Sequence, residues 1–260
     1  MQLRGIRGTT ALSVVVMALI VTAGCTTAPP SPIGASAPVT VETAHRHPVI
    51  LVPGFEFDCA PRQGDWNKWV SAAQRRGFDD SDFIVMRPDP CTANVDTAAA
   101  LGQLVDHVLA TTGDTQVDIV AHSMGSLAAR WCIRFGSCAG KVDKFMGLAA
   151  ANHGTIWANL CAVLFWSHSC GDMAPASTML TDLNAVDETW GDTRYATINS
   201  WCDLTIVPFT STFLDGADNQ IDLRCLGHSD WKKDDQTIDR TFAWFNAAPS
   251  ANETDGSPWT

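Results

Sequence analysis

The chain has 260 residues, with 28 acidic against 17 basic side chains and a formal charge of −11. A balance this acidic excludes the basic footprint of a nucleic-acid-binding protein and any polybasic attraction to anionic lipid. With 46% hydrophobic residues and no internal repeat, the chain has the material for one substantial core.

At the N-terminus, Arg4 and Arg7 precede an apolar run from Ala11 to Ala23, which has the length of a secretory leader and is short for a bilayer span. Thr22-Ala23-Gly24-Cys25 resembles a bacterial lipobox, with threonine where an aliphatic residue is usual. Residues 1–24 are therefore expected to be a lipoprotein-type leader and Cys25 to carry lipid, which makes a membrane one partner. Ordinary cleavage nearby is the alternative. Residues 25–45 are rich in Pro, Ala, Ser and Thr and have little to bury, as in a tether. Residues 46–248 form the expected folded domain and 249–260 a polar tail.

Within the domain, a short apolar strand is expected at 49–52, a helix at 65–76 and a strand at 83–86. A helix follows at 95–110, with Leu101, Leu104, Val105 and Val108 on one face. Strand 117–121 and helix 124–135 come next, then strands at 145–149 and 195–198. A strand-like run at 221–225 and a helix at 237–245 close the series. This alternation predicts an α/β fold, a mostly parallel sheet with helices on both faces. Functional groups then gather at the carboxyl ends of the strands.

The most specific signal is Val117-Asp-Ile-Val-Ala-His-Ser-Met-Gly-Ser126. An apolar strand running through a serine-tipped turn into a helix is the context of a nucleophile elbow, which makes Ser123 the candidate nucleophile. Ala121 stands where the usual motif has glycine. A second His-Ser-x-Gly, at His168 to Gly171, is followed by Asp-Met-Ala-Pro175, which discourages an immediate long helix, and reads as a closed surface loop.

A serine hydroxyl needs a base, and the base an orienting acid. In sheets with this elbow the chain order is Ser, then Asp or Glu, then His. Only His153, His168 and His228 follow Ser123, and His228 alone lies in a late strand-to-helix loop. Among the acids between, Asp203 lies just beyond a strand in apolar surroundings, whereas Asp215 and Asp218 have turn composition. The oxyanion donors are expected at the backbone N–H groups of Met124 and of Phe55, in the Pro53-Gly54-Phe55 turn after the first strand.

Nine cysteines are an odd number for an exported chain. Setting Cys25 aside leaves eight, whose sequential pairing gives Cys59–Cys91, Cys132–Cys138, Cys161–Cys170 and Cys202–Cys225. Residues 132 and 138 within one helix would stand about 9 Å apart, so the helix after the elbow must end near Gly136 and fold back. No C-x-x-C or paired Cys/His cluster predicts a metal site.

Together, V-D-I-V-A-H-S-M-G, V-I-L-V-P-G-F, N-H-G-T, D-L-T-I-V-P, L-D-G-A-D-N and G-H-S resemble the small secreted bacterial triacylglycerol lipases of the class 2 type, over roughly residues 48 to 245. The resemblance implies an α/β-hydrolase fold, Ser123, Asp203 and His228 as triad, Phe55 and Met124 at the oxyanion hole, and no cofactor. Pro53 replaces the histidine common in the first motif. The expected activity is hydrolysis of an acyl ester or lipid through an acyl-serine. Acyl transfer to an envelope acceptor would use the same residues, and a non-catalytic envelope lipoprotein of the same fold is the alternative from another class. Leu160 to Trp166 reads two ways: as a buried core segment, or as a loop over the site presenting Val163, Leu164, Phe165 and Trp166 to an acyl chain or lipid surface.

Overall fold

Strands covered on both faces need apolar side chains in succession, because neighbouring residues point to opposite sides. The computed structural model, which describes residues 46–55, 66–88, 92–165 and 168–247, shows this arrangement. Its strands are β1 (Val49–Val52), β2 (Phe83–Val85), β3 (Val117–His122), β4 (Val142–Leu148), β5 (Arg194–Ser200) and β6 (Asp218–Asp222). They form one sheet in the order β2-β1-β3-β4-β5-β6, with every neighbouring pair parallel. The helices are α1 (Asn67–Arg75), α2 (Asn94–Thr112), α3 (Gly125–Phe135), α4 (Ala158–Phe165), α5 (His168–Asp172), α6 (Thr178–Leu183) and α7 (Asp235–Asn246).

Alternation along the strands divides the core. Ile50, Ile119 and Phe145 face one side and pack with Leu101 and Val105 of α2 and Ala129 of α3. Val49, Leu51, Val120 and Met146 face the other side, against Trp69 of α1 and Phe242 of α7. A third apolar cluster joins α3 to α4–α6 and includes Leu127, Met173, Leu180 and Ile206. The chain passes from β1 outward to β2 and then returns to the other side of β1 as β3. The order reverses there, which opens a crevice beyond the carboxyl ends of β1 and β3.

Most expected elements are present, with ends shifted by a few residues. The last strand is a correction: it spans Asp218–Asp222, not 221–225. Its sequence, Asp-Asn-Gln-Ile-Asp, has the polarity of a turn, yet among the described residues this strand is the sheet edge and pairs with β5 alone. An edge tolerates polar side chains because one flank faces water. The region between β4 and β5 departs further from expectation. Residues 158–165 and 168–172 form two short helices, and Ser169 and Cys170 are buried, so among the described residues helix stands where a surface loop was expected.

Cys132–Cys138, Cys161–Cys170 and Cys202–Cys225 are bonded. Helix α3 ends at Phe135, and the Cys138 N–H reaches back to the Cys132 carbonyl at 3.2 Å, which brings the two Cα atoms to 5.1 Å. Gly136 makes this possible without the left-handed conformation usual for a terminating glycine. Its φ is −105°, and a Cβ there would lie 3.0 Å from the Cys132 Cα, so a close approach is what requires glycine. Cys25, Cys59, Cys91 and Trp166 lie outside the described residues, as does the Phe165 side chain. Among the described residues, no helix is long and apolar enough to cross a membrane.

Candidate active site

The turn after β3 holds Ser123 at φ 55°, a left-handed conformation that a residue with a Cβ adopts only under constraint. The constraints are visible. The Ser123 N–H donates to Leu148 O at 3.1 Å, and the Ser123 carbonyl accepts from Ser126 Oγ at 2.7 Å and from Ala151 N at 3.2 Å. The turn thereby lifts the hydroxyl above the sheet edge while α3 departs beneath it.

Two glycines bring the first loop against this turn. A Cβ on Gly125 would fall 2.3 Å from Pro53 O, and one on Gly54 would fall 2.7 Å from Ser123 Cβ and 3.2 Å from Ser123 Oγ. Gly125 thus serves the contact between α3 and the loop after β1. Ala121 meets no such demand. It is buried in mid-sheet between Val52 and Gly147, where a methyl group fits.

His228 and Asp203 complete a hydrogen-bonded line. His228 Nε2 lies 2.8 Å from Ser123 Oγ, and His228 Nδ1 lies 2.9 Å from Asp203 Oδ2. Because a carboxylate only accepts, it fixes the proton on Nδ1 and leaves the Nε2 lone pair facing the serine hydroxyl. Asp203 is buried and held from behind: its Oδ1 accepts from Thr205 N at 2.8 Å and Ile206 N at 3.0 Å. Thr155, the last residue of the Asn-His-Gly-Thr motif, braces the same loop. Its hydroxyl donates to Thr205 O at 2.6 Å and accepts from Val207 N at 3.2 Å. The Cys202–Cys225 bond ties the Asp203 loop to the segment leading into His228.

One contributor escaped the sequence reading. His122, the residue before the serine, is buried, and its Nε2 donates to the backbone carbonyl of His228 at 2.9 Å. Its ring lies 4.7 Å from the His228 ring and edge-on to Trp66 at 6.3 Å. Burial, then the nearby His228 and Lys232, hold its pKa well below the ordinary histidine value, so it is a neutral donor. The only sequence signal was a polar ring at the end of a strand that is mostly apolar.

A cavity of about 440 Å³ opens beside Ser123 and His228, walled by Phe55, Leu160, Leu164, Met173, Leu204 and Ile206. This is within the usual range for small-molecule sites, and the walls are largely apolar. Phe55 lies on this wall, and Met124 caps the amino end of α3, where a helix leaves N–H groups without internal acceptors. The other sequence candidates lie elsewhere. His153 Nε2 pairs with Glu188 Oε1 at 2.7 Å, and Ser169 is buried in α5, where its carbonyl accepts from Asn94 Nδ2 at 3.1 Å. Asp218 opens β6. Leu160, Val163 and Leu164 are exposed, which overturns the core reading of their segment for these side chains.

The family model for lipase (class 2) matches residues 46–243. The chain belongs to the class 2 lipases. Among solved structures, this class 2 lipase is similar to Bacillus licheniformis lipase BlEst2 in mature form, at 14% identity and a TM-score of 0.62, over 83% of this chain and 96% of that one. It is also similar to Aspergillus fumigatus lipase B, at 18% identity and a TM-score of 0.60, over 74% of this chain and 51% of that one. It thus spans about half the length of the Aspergillus enzyme. The lin2722 product of Listeria innocua aligns at 13% identity and a TM-score of 0.56, over 80% of this chain and 96% of that one. At these identities the likeness is one of fold, the α/β-hydrolase fold. No curated protein sequence matches the chain.

Proposed function

We propose that this class 2 lipase hydrolyses carboxylic esters of acyl chains through an acyl-serine intermediate. The observation that carries the reading is the unbroken line Ser123–His228–Asp203 at the edge of an apolar cavity. In this reading His228 takes the Ser123 proton as Oγ attacks the ester carbonyl. The C–O bond to the alcohol then breaks, and the alcohol leaves with the proton held on His228. Water attacks the acyl-serine, again giving a proton to His228. The C–Oγ bond breaks, the carboxylic acid departs and Ser123 recovers its proton. Asp203 holds the tautomer and stabilises the transient imidazolium. The N–H groups of Met124 and Phe55 stabilise the oxyanion, a role supported by the helix terminus at one and the Gly54 contact at the other.

Ser123→Ala, His228→Ala and Asp203→Asn should each lower kcat for p-nitrophenyl butyrate by roughly a thousandfold or more while the thermal transition persists. A fluorophosphonate should label Ser123. Labelling at Ser169, or full activity in Asp203→Asn, overturns the assignment.

A further inference from the structure

His228 sits in an irregular segment, residues 223–234, which rises from the end of β6 and returns to the start of α7. The rising limb is tied to the sheet almost residue by residue. Cys225 is bonded to Cys202, the Leu226 carbonyl accepts from Ser200 Oγ at 2.6 Å, and the His228 carbonyl accepts from His122 Nε2 at 2.9 Å. The returning limb meets the rising one at the tip, where Gly227 N donates to Asp230 Oδ2 at 2.7 Å. It meets it again at the base, through Arg224.

The Arg224 guanidinium lies between two carboxylates. Nε and Nη2 donate to Asp222 Oδ1 and Oδ2 at 3.0 and 2.6 Å, and Nη1 and Nη2 donate to Asp234 Oδ1 and Oδ2, both at 2.9 Å. Two bidentate forks of this kind fix the plane of the group as well as its distance. Asp222 is the buried last residue of β6. Asp234 caps α7, its Oδ2 accepting from Thr237 N at 2.7 Å and from Thr237 Oγ1 at 2.8 Å. The bridge therefore joins the end of a strand to the cap of a helix, the two ends of the His228 segment. Hydrogen bonds from Arg224 hold the Asp222 carboxyl below its usual range. Burial pushes the Asp234 carboxyl up, but Arg224 and Thr237 outweigh it and hold it low as well. Both acids are thus charged at neutral pH. The Arg224 side chain is 34% exposed, so solvent screens the attraction and the bridge matters more as a geometric constraint than as a source of stability.

We infer that Arg224 is a positioning residue for catalysis: by joining the two ends of the His228 segment it holds the imidazole in line with Ser123 and Asp203. The inference rests on the proposed ester hydrolysis. The clamp can be opened without dismantling its neighbours. When the Arg224 side chain is cut back, Asp222 keeps Arg240 Nη1 at 3.1 Å and the Arg224 N–H at 2.9 Å, and Asp234 still caps α7. A purely structural role predicts lost stability. A positioning role predicts lost turnover with binding intact, because none of the three clamp residues lines the cavity.

Arg224→Gln should lower kcat on p-nitrophenyl butyrate about tenfold, with KM within about twofold and a cooperative thermal transition, since misplacing a reacting group by about 1 Å can cost about 100-fold. Asp234→Asn keeps a good helix cap but loses the charged fork. It should lose kcat to a similar extent, and it carries the test if Arg224→Gln does not fold. The double variant should be no slower than the slower single one, because both open the same clamp. Arg240→Gln releases α7 from Asp222 but leaves the fork to Asp234, and should stay within about twofold of wild type. In proton NMR, the downfield His228 Nδ1–H resonance should broaden in Arg224→Gln and persist in Arg240→Gln. Wild-type kcat in Arg224→Gln or Asp234→Asn, losses that multiply in the double variant, or an equal loss in Arg240→Gln overturns the clamp. The resonance needs no substrate: broadening confined to the clamp variants of a protein that cleaves no ester would sink the hydrolase reading and leave the clamp standing.

Discussion

Replacing His122 with phenylalanine isolates one hydrogen bond. The phenyl ring can keep the stacking against His228 and Trp66, while the donor to the His228 carbonyl, now at 2.9 Å, is lost. A partly buried carbonyl deprived of its partner costs about 1–3 kcal/mol, and the loop can recover some of this by moving. Two other ties limit the movement: Ser200 Oγ donates to Leu226 O at 2.6 Å, and Gly227 N donates to Asp230 Oδ2 at 2.7 Å. The loop should therefore stay attached but let the imidazole drift, and a misplacement of order 1 Å can cost about 100-fold in rate. The expectation is a fall in kcat of roughly 10- to 100-fold on a soluble ester, with KM within about twofold because the cavity walls are untouched. His122→Gln, which carries an N–H at similar reach, should recover most of the rate. Because His122 is neutral, the acid limb of the rate profile should show a single titrating step in both wild type and His122→Gln. The assay is kcat and KM from pH 5 to 9, with melting temperatures alongside. Unchanged kcat in His122→Phe, or failure of His122→Gln to recover rate despite a wild-type melting temperature, would refute the positioning role.

Gly54→Ala places a methyl group 2.7 Å from Ser123 Cβ and 3.0 Å from His122 O, so either the loop after β1 or the elbow must yield. Overpacking of this kind costs about 1–3 kcal/mol; kcat should drop at least about tenfold in a protein that still melts cooperatively, and wild-type kinetics would show that the loop adapts freely. Asp118 is buried in β3 with Oδ1 unpartnered among the described residues, and burial raises its pKa to about 8 against the pull of Lys144. The folded state therefore keeps a proton that the unfolded chain releases above the ordinary carboxylate range of about 4, so stability falls as pH rises from there to about 8. Asp118→Asn should remove that slope, gaining most at pH 8.5 and little at pH 4; melting curves that run parallel at both pH values would exclude it.

Sequence made the sheet legible where burial dictates composition. Val49–Val52 and, Asp118 apart, Val117–Ala121 are apolar and buried, as strands covered on both faces require. The strand–turn–helix around Ser123 was legible from its motif, and Gly125 is required because the Pro53 carbonyl leaves no room for a Cβ there. What stayed hidden depended on partners distant in sequence. His122 gained its role from His228, 106 residues on, and no local pattern announces such a meeting. Strand β6 was misplaced because an edge strand and a turn share the same polar residues. For α4, the apolar run could mark a core or a surface, and only the fold decides which neighbours arrive to cover it.

The bond between Cys202 and Cys225 closes a segment with a sequence separation of 23, and Asp203 lies just inside one end while His228 follows three residues beyond the other. Closing a loop of that length removes about 3 kcal/mol of freedom from the unfolded chain. It also limits local breathing, because the carboxylate and the imidazole cannot drift apart independently. A chain still in a reducing compartment would lack that closure and hold acid and base together by one hydrogen bond and the surrounding packing. Oxidation after export would then do more than toughen the domain: it would set the timing at which base and acid become a lasting pair.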